Sequence, residues 1–125
     1  MAKRRILCVS FDRVASENRC ATLTEAGYDV TATTDFEEVL ELLSRGRFDA
    51  VIVGHRFSPE EKYLLAIEAR EKSNARVVLV CGSGAQDADI PATSRVYALE
   101  GSEGLLSTLS ALFTTKPKAQ LQEAA

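Results

Sequence analysis

The chain alternates short apolar runs with longer amphipathic segments. The first run, residues 6–9, is apolar at every position, and four further runs rich in aliphatic or β-branched residues occupy 28–33, 48–53, 76–80 and 96–99. A continuous apolar run is typical of a strand buried on both faces of a parallel sheet, because helices cover both faces. The alternation therefore predicts an α/β fold with five strands and four or five helices.

Helix-end signals separate the first three strands. Gly27 follows a segment that we expect to be helical from about residue 13 to 26, at the position of a left-handed cap. Asp35 is predicted to cap the second helix, and Glu38, three residues later, has the spacing of a capping box. The apolar positions after Asp35 recur at helical spacing, and Gly46 ends that helix.

The second half of the chain contains two further helical segments. Ser58 and Pro59 have the pattern of a helix start, and that helix is predicted to run to about residue 72 with Leu64 and Ile67 buried. Residues 105–113 form a last amphipathic segment. The stretch between the fourth and fifth strands has few large apolar residues and contains a proline, so its structure is left open.

Composition narrows the functional classes. The chain has 125 residues and a formal net charge of −3, which argues against a nucleic-acid surface. It has no apolar stretch long enough to cross a bilayer and no signal-peptide pattern. We therefore expect a cytoplasmic protein, with one domain over residues 1–113 and a flexible tail over 114–125.

The cysteines and the histidine suggest no metal site. Cys8, Cys20 and Cys81 lie in or beside apolar segments without CxxC spacing, and His55 is the only histidine. We interpret the cysteines as reduced thiols that pack as small hydrophobic side chains. His55 is interpreted as a residue of a surface loop.

Several segments resemble the receiver domains of bacterial two-component response regulators. The similar segments cover the first strand, the turn from the first helix to the second strand, the second helix and the third strand, at residues 5–9, 23–30, 37–43 and 48–53. The resemblance implies a flavodoxin-like, doubly wound parallel sheet of order 2-1-3-4-5 between two helical layers.

The chain departs from the receiver pattern at the reactive positions. Receivers hold Mg²⁺ with an acidic pair after the first strand, where this chain has Ser10 and Phe11. The phosphate-accepting aspartate is matched by Gly54, at the end of the third strand. The hydroxyl residue after the fourth strand is matched by Cys81, and the lysine after the fifth by Glu100. The resemblance therefore implies a degenerate phosphorylation site.

These departures remove the requirements of phosphotransfer. Glycine has no nucleophile, the Mg²⁺ carboxylates are missing, and a glutamate would repel a phosphoryl group that a lysine attracts. We predict a stand-alone pseudo-receiver that is not an enzyme and holds no cofactor or metal. Its expected partner is a histidine kinase, an output protein or a second copy, bound through the last helix, the fifth strand and the stretch between the fourth and fifth strands. The alternative is a flavodoxin-like module that binds a nucleotide or flavin near Ser10, Gly54 and residues 82–84.

Overall fold

Five parallel strands form a single sheet in the computed structural model of the chain, which describes residues 3–10, 13–54, 57–81, 92, 94–97 and 101–114. Their order is β2-β1-β3-β4-β5. The bounds are β1 (Arg5–Val9), β2 (Asp29–Thr33), β3 (Ala50–Val53), β4 (Arg76–Cys81) and β5 (Ser94–Tyr97). The predicted flavodoxin-like topology is confirmed.

The described residues contain four helices. Their bounds are α1 (Arg13–Glu25), α2 (Phe36–Arg45), α3 (Pro59–Ser73) and α4 (Gly101–Thr114). Within the described part of the chain, every helix is too short or too polar to cross a membrane. The tail was predicted to cover 114–125, but Thr114 is the last residue of α4; the rest of the tail, 115–125, and the open stretch 82–91 lie outside the described residues.

Two hydrophobic cores lie on opposite faces of the sheet, because successive strand residues point to opposite sides. Leu7, Val9, Val51 and Val53 belong to the core that contains residues of α2 and α3. The other core takes the alternate strand positions together with residues of α1 and α4, and its fully or nearly fully buried members are Ile6, Cys8, Leu23, Ala50, Ile52, Val78, Val80, Leu105 and Leu109. The molecule therefore has the predicted three layers.

The last two elements begin earlier than their apolar patterns predict. β5 begins at Ser94 and ends at Tyr97, whereas the predicted strand was 96–99. Ser94 pairs with Val78 of β4, and because β5 is the edge strand, its first residues need not be apolar. α4 begins at Gly101, four residues before the buried Leu105. The residues of its first turn whose burial is described are not in the core, so the apolar pattern does not mark the start of the helix.

The buried face of α3 differs from the prediction. Leu64 was expected in the core but is 43% exposed, and Ile67 is only partly buried. The buried residues of α3 are Lys62, Leu65, Ala66, Ala69 and Ser73. They recur at helical spacing and form one stripe, and Leu64 lies on the opposite side of the helix.

The helix caps follow the sequence signals with one exception. Gly27 has φ +102°, as a left-handed turn requires, and Ser58 forms a full capping box with Glu61. The box predicted for Asp35 and Glu38 is wrong. The Asp35 carboxylate accepts a hydrogen bond from the amide of Glu37 at 3.0 Å. The hydroxyl of the buried Thr33 accepts from the Asp35 amide and donates to the Glu38 carboxylate, so it takes the bond that a capping box would form directly between Asp35 and Glu38.

Candidate functional site

The residues that follow β1 and β3 lie side by side at the carboxyl edge of the sheet. The amide of Gly54 donates to the carbonyl of Val9 at 2.8 Å, and the amide of Ser10 donates to the carbonyl of Thr33 at 3.2 Å. These bonds extend the ladders of adjacent strands by one residue. Ser10 and Gly54 are both buried, so the edge is closed at this point.

Gly54 is in close contact with the end of β1. An ideal Cβ built on Gly54 would lie 3.2 Å from the Ser10 Oγ and 3.2 Å from the Val9 carbonyl oxygen. Because side-chain carbons rarely come this close to other atoms, a larger residue here requires Ser10 or the backbone of β1 to move. The close approach of the two strands therefore explains why position 54 is a glycine. The Ser10 Oγ lies 3.2 Å from the point where the Cβ of a larger residue would be.

The other predicted site residues are only partly placed. Cys81 ends β4 and pairs in register with Tyr97 of β5, which puts it on the same edge of the sheet as Gly54. Phe11, His55 and Glu100 lie outside the described residues, as do residues 82–84. Of the five predicted site positions, the structure therefore brings Ser10 and Gly54 into contact and aligns Cys81 with them along one edge.

A cleft lies beside this edge, between the start of α1 and the connection from β2 to α2. Its volume is about 280 Å³, and its lining residues are Arg13, Ser16, Glu17, Ala32, Thr33, Thr34, Asp35 and Glu38. The Thr33 hydroxyl donates to the Glu38 carboxylate and accepts from the Asp35 amide. Thr33, Asp35 and Glu38 therefore bond to one another within the turn. Within the described residues, no three His, Cys, Asp or Glu side chains are grouped to hold a metal ion.

A pair of thiols at the contact between β1 and α1 was not predicted from the sequence. Cys8, the next-to-last residue of β1, is buried, Cys20 on α1 is half-buried against the core that contains Cys8, and a hydrogen bond between their side chains is the largest cause of the shifts in their pKa values. This bond lowers the pKa of the Cys20 thiol to about 6, against the opposing effect of partial burial and with help from Ser16 and Arg19. The bond to Cys20, burial and the nearby Cys20 charge raise the pKa of Cys8 well above its usual value.

The contact corrects the interpretation of these cysteines as independent hydrophobic residues. Two features of the sequence bear on it. Cys8 alternates with Ile6 on the sheet face that α1 covers, and Cys20 lies three residues before Leu23, which is buried against that same face. The side-chain contact itself requires the orientation of α1 on the sheet, which sequence spacing does not give.

The fold matches that of response regulator receiver domains. A receiver protein from Sinorhizobium medicae is similar with a TM-score of 0.79 and 27% identity, over 90% of this chain and 96% of that chain. The receiver domain of a sensor histidine kinase from Pseudomonas aeruginosa, solved with a magnesium ion in its active-site cleft, gives 0.74 and 21%, over 86% and 95%. A response regulator from Burkholderia pseudomallei with a phosphorylated aspartic acid gives 0.74 and 20%, over 98% and 74%.

No protein-family model matches the chain, and no curated protein matches it in sequence. The similarity to known proteins therefore lies in the three-dimensional fold, which is that of CheY-like receiver domains. The strand order and the layers on which this fold depends are those described above.

Proposed function

We propose that the chain is an atypical receiver domain of two-component or phosphorelay signalling that does not accept aspartyl phosphate. It is not an enzyme, acts in the cytoplasm and transmits its signal through contacts with another protein. The receiver fold supports the signalling class. The residues at the carboxyl edge support the loss of phosphorylation.

The contact between Ser10 and Gly54 is the observation that carries this proposal. Aspartyl phosphorylation needs a carboxylate nucleophile and a Mg²⁺ ion held by oxygen ligands, at least one of them usually a carboxylate. At position 54 there is no side chain, and the adjoining space contains the Ser10 Oγ. A lost aspartate alone would leave a gap beside β1, whereas here the two strand ends are packed together.

The proposed partner surface is the outer face of α4 with the adjoining strand β5. Leu105 and Leu109 fix the inner face of α4 on the sheet, and Glu103, Ser107 and Ser110 are exposed on its outer face. The partner is a histidine kinase, an output protein or a second copy of this chain. In this proposal the surface has one fixed form, because no phosphoryl group alters the strand ends.

Phosphorylation is tested on the wild type and on Gly54→Asp, with a typical receiver domain as positive control. Each protein is incubated with Mg²⁺ and a small acyl phosphate, its intact mass is measured, and amide NMR spectra are recorded with Mg²⁺ and beryllofluoride. We expect no phosphoryl adduct on the wild type and no beryllofluoride shifts at Ser10 or Gly54. Gly54→Asp is also expected to remain unmodified, because the acidic pair with which receivers hold Mg²⁺ is matched in this chain by Ser10 and Phe11.

A phosphoryl adduct on any residue of the wild type would overturn the proposal. The same spectra recorded with a panel of nucleotides and flavins provide a second test. Specific, saturable shifts at the strand ends would replace the signalling proposal with a ligand-binding function. Unchanged spectra with both sets of reagents, together with modification of the control receiver, are the expected result.

A further inference from the structure

We propose that Cys8 and Cys20 form an oxidisable thiol pair, which a hydroperoxide converts to an intramolecular disulfide between β1 and α1. This site lies on the sheet face that α1 covers, two residues before Ser10, and does not depend on the proposed signalling function. It provides the fold with a modifiable group that differs in chemistry from an aspartyl phosphate.

The geometry supplies one accessible and one protected thiol. Cys20 is half-buried on α1, so a small oxidant reaches it from solvent, whereas Cys8, the next-to-last residue of β1, is 1% exposed. The two side chains are already in hydrogen-bond contact, and Cys20 packs against the core that contains Cys8. A resolving thiol therefore lies next to the thiol that reacts first.

The environment of Cys20 favours the thiolate, which is the reactive form. Its pKa is lowered to about 6 by the hydrogen bond from Cys8, with smaller contributions from the Ser16 hydroxyl and the Arg19 charge. Partial burial and Glu17 act in the opposite direction. The thiol of Cys8 keeps its proton, because its own pKa is raised.

The chemistry proceeds in two balanced steps. The Cys20 thiolate attacks one oxygen of the hydroperoxide, the O–O bond breaks, and the leaving oxygen departs as water or an alcohol after taking up a proton. Cys20 is thereby oxidised to a sulfenic acid. The Cys8 sulfur then attacks the Cys20 sulfur, the S–O bond breaks, and the released hydroxide combines with the Cys8 proton as water. Two thiols lose two hydrogens in total, and the peroxide is reduced.

The test uses hydrogen peroxide on the full chain with Cys81→Ser, which leaves only the proposed pair. After oxidation the free thiols are alkylated under denaturing conditions and the intact mass is measured. We expect the mass of a protein that has lost two hydrogens and takes up no alkylating reagent. A non-reducing peptide map is expected to show Cys8 linked to Cys20, and a thiol reductant is expected to restore both thiols.

Two variants separate the roles of the cysteines. In Cys8→Ala the reaction is expected to stop at a Cys20 sulfenic acid that dimedone traps, and in Cys20→Ala the Cys8 thiol is expected to survive the same exposure. Circular dichroism before oxidation checks that each variant is folded. The proposal is overturned if both thiols of the folded Cys81→Ser protein remain alkylable, if the disulfide joins two molecules, or if Cys8 reacts equally fast without Cys20.

Discussion

The two edges of the sheet differ in what their residues are used for. At the carboxyl edge, Ser10 and Gly54 are small, uncharged and packed against each other. At the amino edge, by contrast, charged and aromatic side chains form a connected set of contacts. Within the described residues, arginine–aromatic contacts and a carboxylate acceptor thus hold the amino edge, whereas small residues meet where β1 and β3 end at the carboxyl edge.

Asp49 links three strands at the amino edge. Its carboxylate accepts from the amide of Arg5 at 2.8 Å, its own amide donates to the carbonyl of Arg5 at 2.7 Å, and its carbonyl accepts from the amide of Arg76 at 3.0 Å. The Arg5 guanidinium lies over the ring of Phe48, 4.9 Å from its centroid. Asp49 thus fixes the start of β3 against β1 and β4.

A second group at the same edge is centred on Phe113, near the end of α4. The guanidinium groups of Arg4 and Arg76 lie 4.8 and 5.5 Å from the ring centroid of Phe113, and the ring of Tyr28 lies 6.0 Å away. Cations over an aromatic face are attracted by the ring electrons. The end of α4 is thereby attached to Arg76 of β4 and to the residues that directly precede β1 and β2.

Among the substitutions that test this comparison of the two edges, Phe113→Ala is expected to change the free energy of unfolding most. It removes a partly buried ring and two cation–π contacts, and we expect a loss of about 2 kcal/mol in the free energy of unfolding, less than for a fully buried phenylalanine. Urea denaturation measures it, with the exposed Ser107→Ala on the same helix as control. Equal stabilities of the two variants would show that the amino edge does not hold α4.

Asp49→Ala is expected to destabilise by about 1.5 kcal/mol, because the Arg5 amide loses its charged acceptor. Asp49→Asn is the matched control, since its amide oxygen still accepts the same hydrogen bond, and we expect it to retain most of the stability. Urea unfolding midpoints of both variants, measured at low and high salt, distinguish the effect of the Asp49 charge from that of its hydrogen bond. If Asn and Ala are equally destabilising, the negative charge rather than the hydrogen bond stabilises this edge.

The strands were predictable because the apolar runs are continuous and the turn signals are strong, and their order was predicted from the resemblance to receiver domains. Residues 6–9 and 76–80 are apolar at almost every position, and Gly27 and Ser58 mark helix boundaries through local chemistry alone. β5 was placed two residues late, since an edge strand that starts with Ser94 and Arg95 lacks this pattern. Element type was thus encoded locally, and element boundaries only where a cap or turn fixes them.

The side-chain environments needed tertiary information. Leu64 and Leu65 are adjacent and chemically identical, and only the rotation of α3 on the sheet decides that Leu65 is buried. The reason for Gly54 was likewise not visible in the sequence, which showed a missing aspartate but not the proximity of Ser10. The contact between Cys8 and Cys20 depends on the same kind of packing detail.

Gly54→Ala tests whether the carboxyl edge is closed by packing. The added Cβ would lie 3.2 Å from the Ser10 Oγ, and we expect a loss of about 1 kcal/mol from overpacking. Gly46→Ala is the matched control, because its Cβ would meet its nearest neighbours at an ordinary 3.6 Å. Thermal or urea unfolding compares the two.

The partner of this contact is tested with Ser10→Gly. If Ser10 causes the crowding, Gly54→Ala is expected to cost less in the Ser10→Gly background than in the wild type, because the Oγ and Cβ that it would meet are removed. A double-mutant cycle measures this coupling. Additive effects of the two substitutions would show that the main chain of Val9, not Ser10, limits the space at position 54.

The smallest expected effect concerns the thiol pair between the two edges. The alkylation rate of Cys20 is expected to rise with pH around a midpoint near 6, because the Cys8 hydrogen bond lowers the pKa of Cys20. In Cys8→Ala this donor is lost and the midpoint is expected to move upward, whereas Cys8→Ser retains a hydroxyl donor and is expected to stay closer to the wild type. Iodoacetamide kinetics between about pH 5 and 9, followed by mass spectrometry of the Cys20 peptide, span the lowered and the usual thiol range. A midpoint that is the same in all three proteins would assign the acidity of Cys20 to its neighbours on α1, the Ser16 hydroxyl and then the Arg19 charge, instead of to the contact with β1.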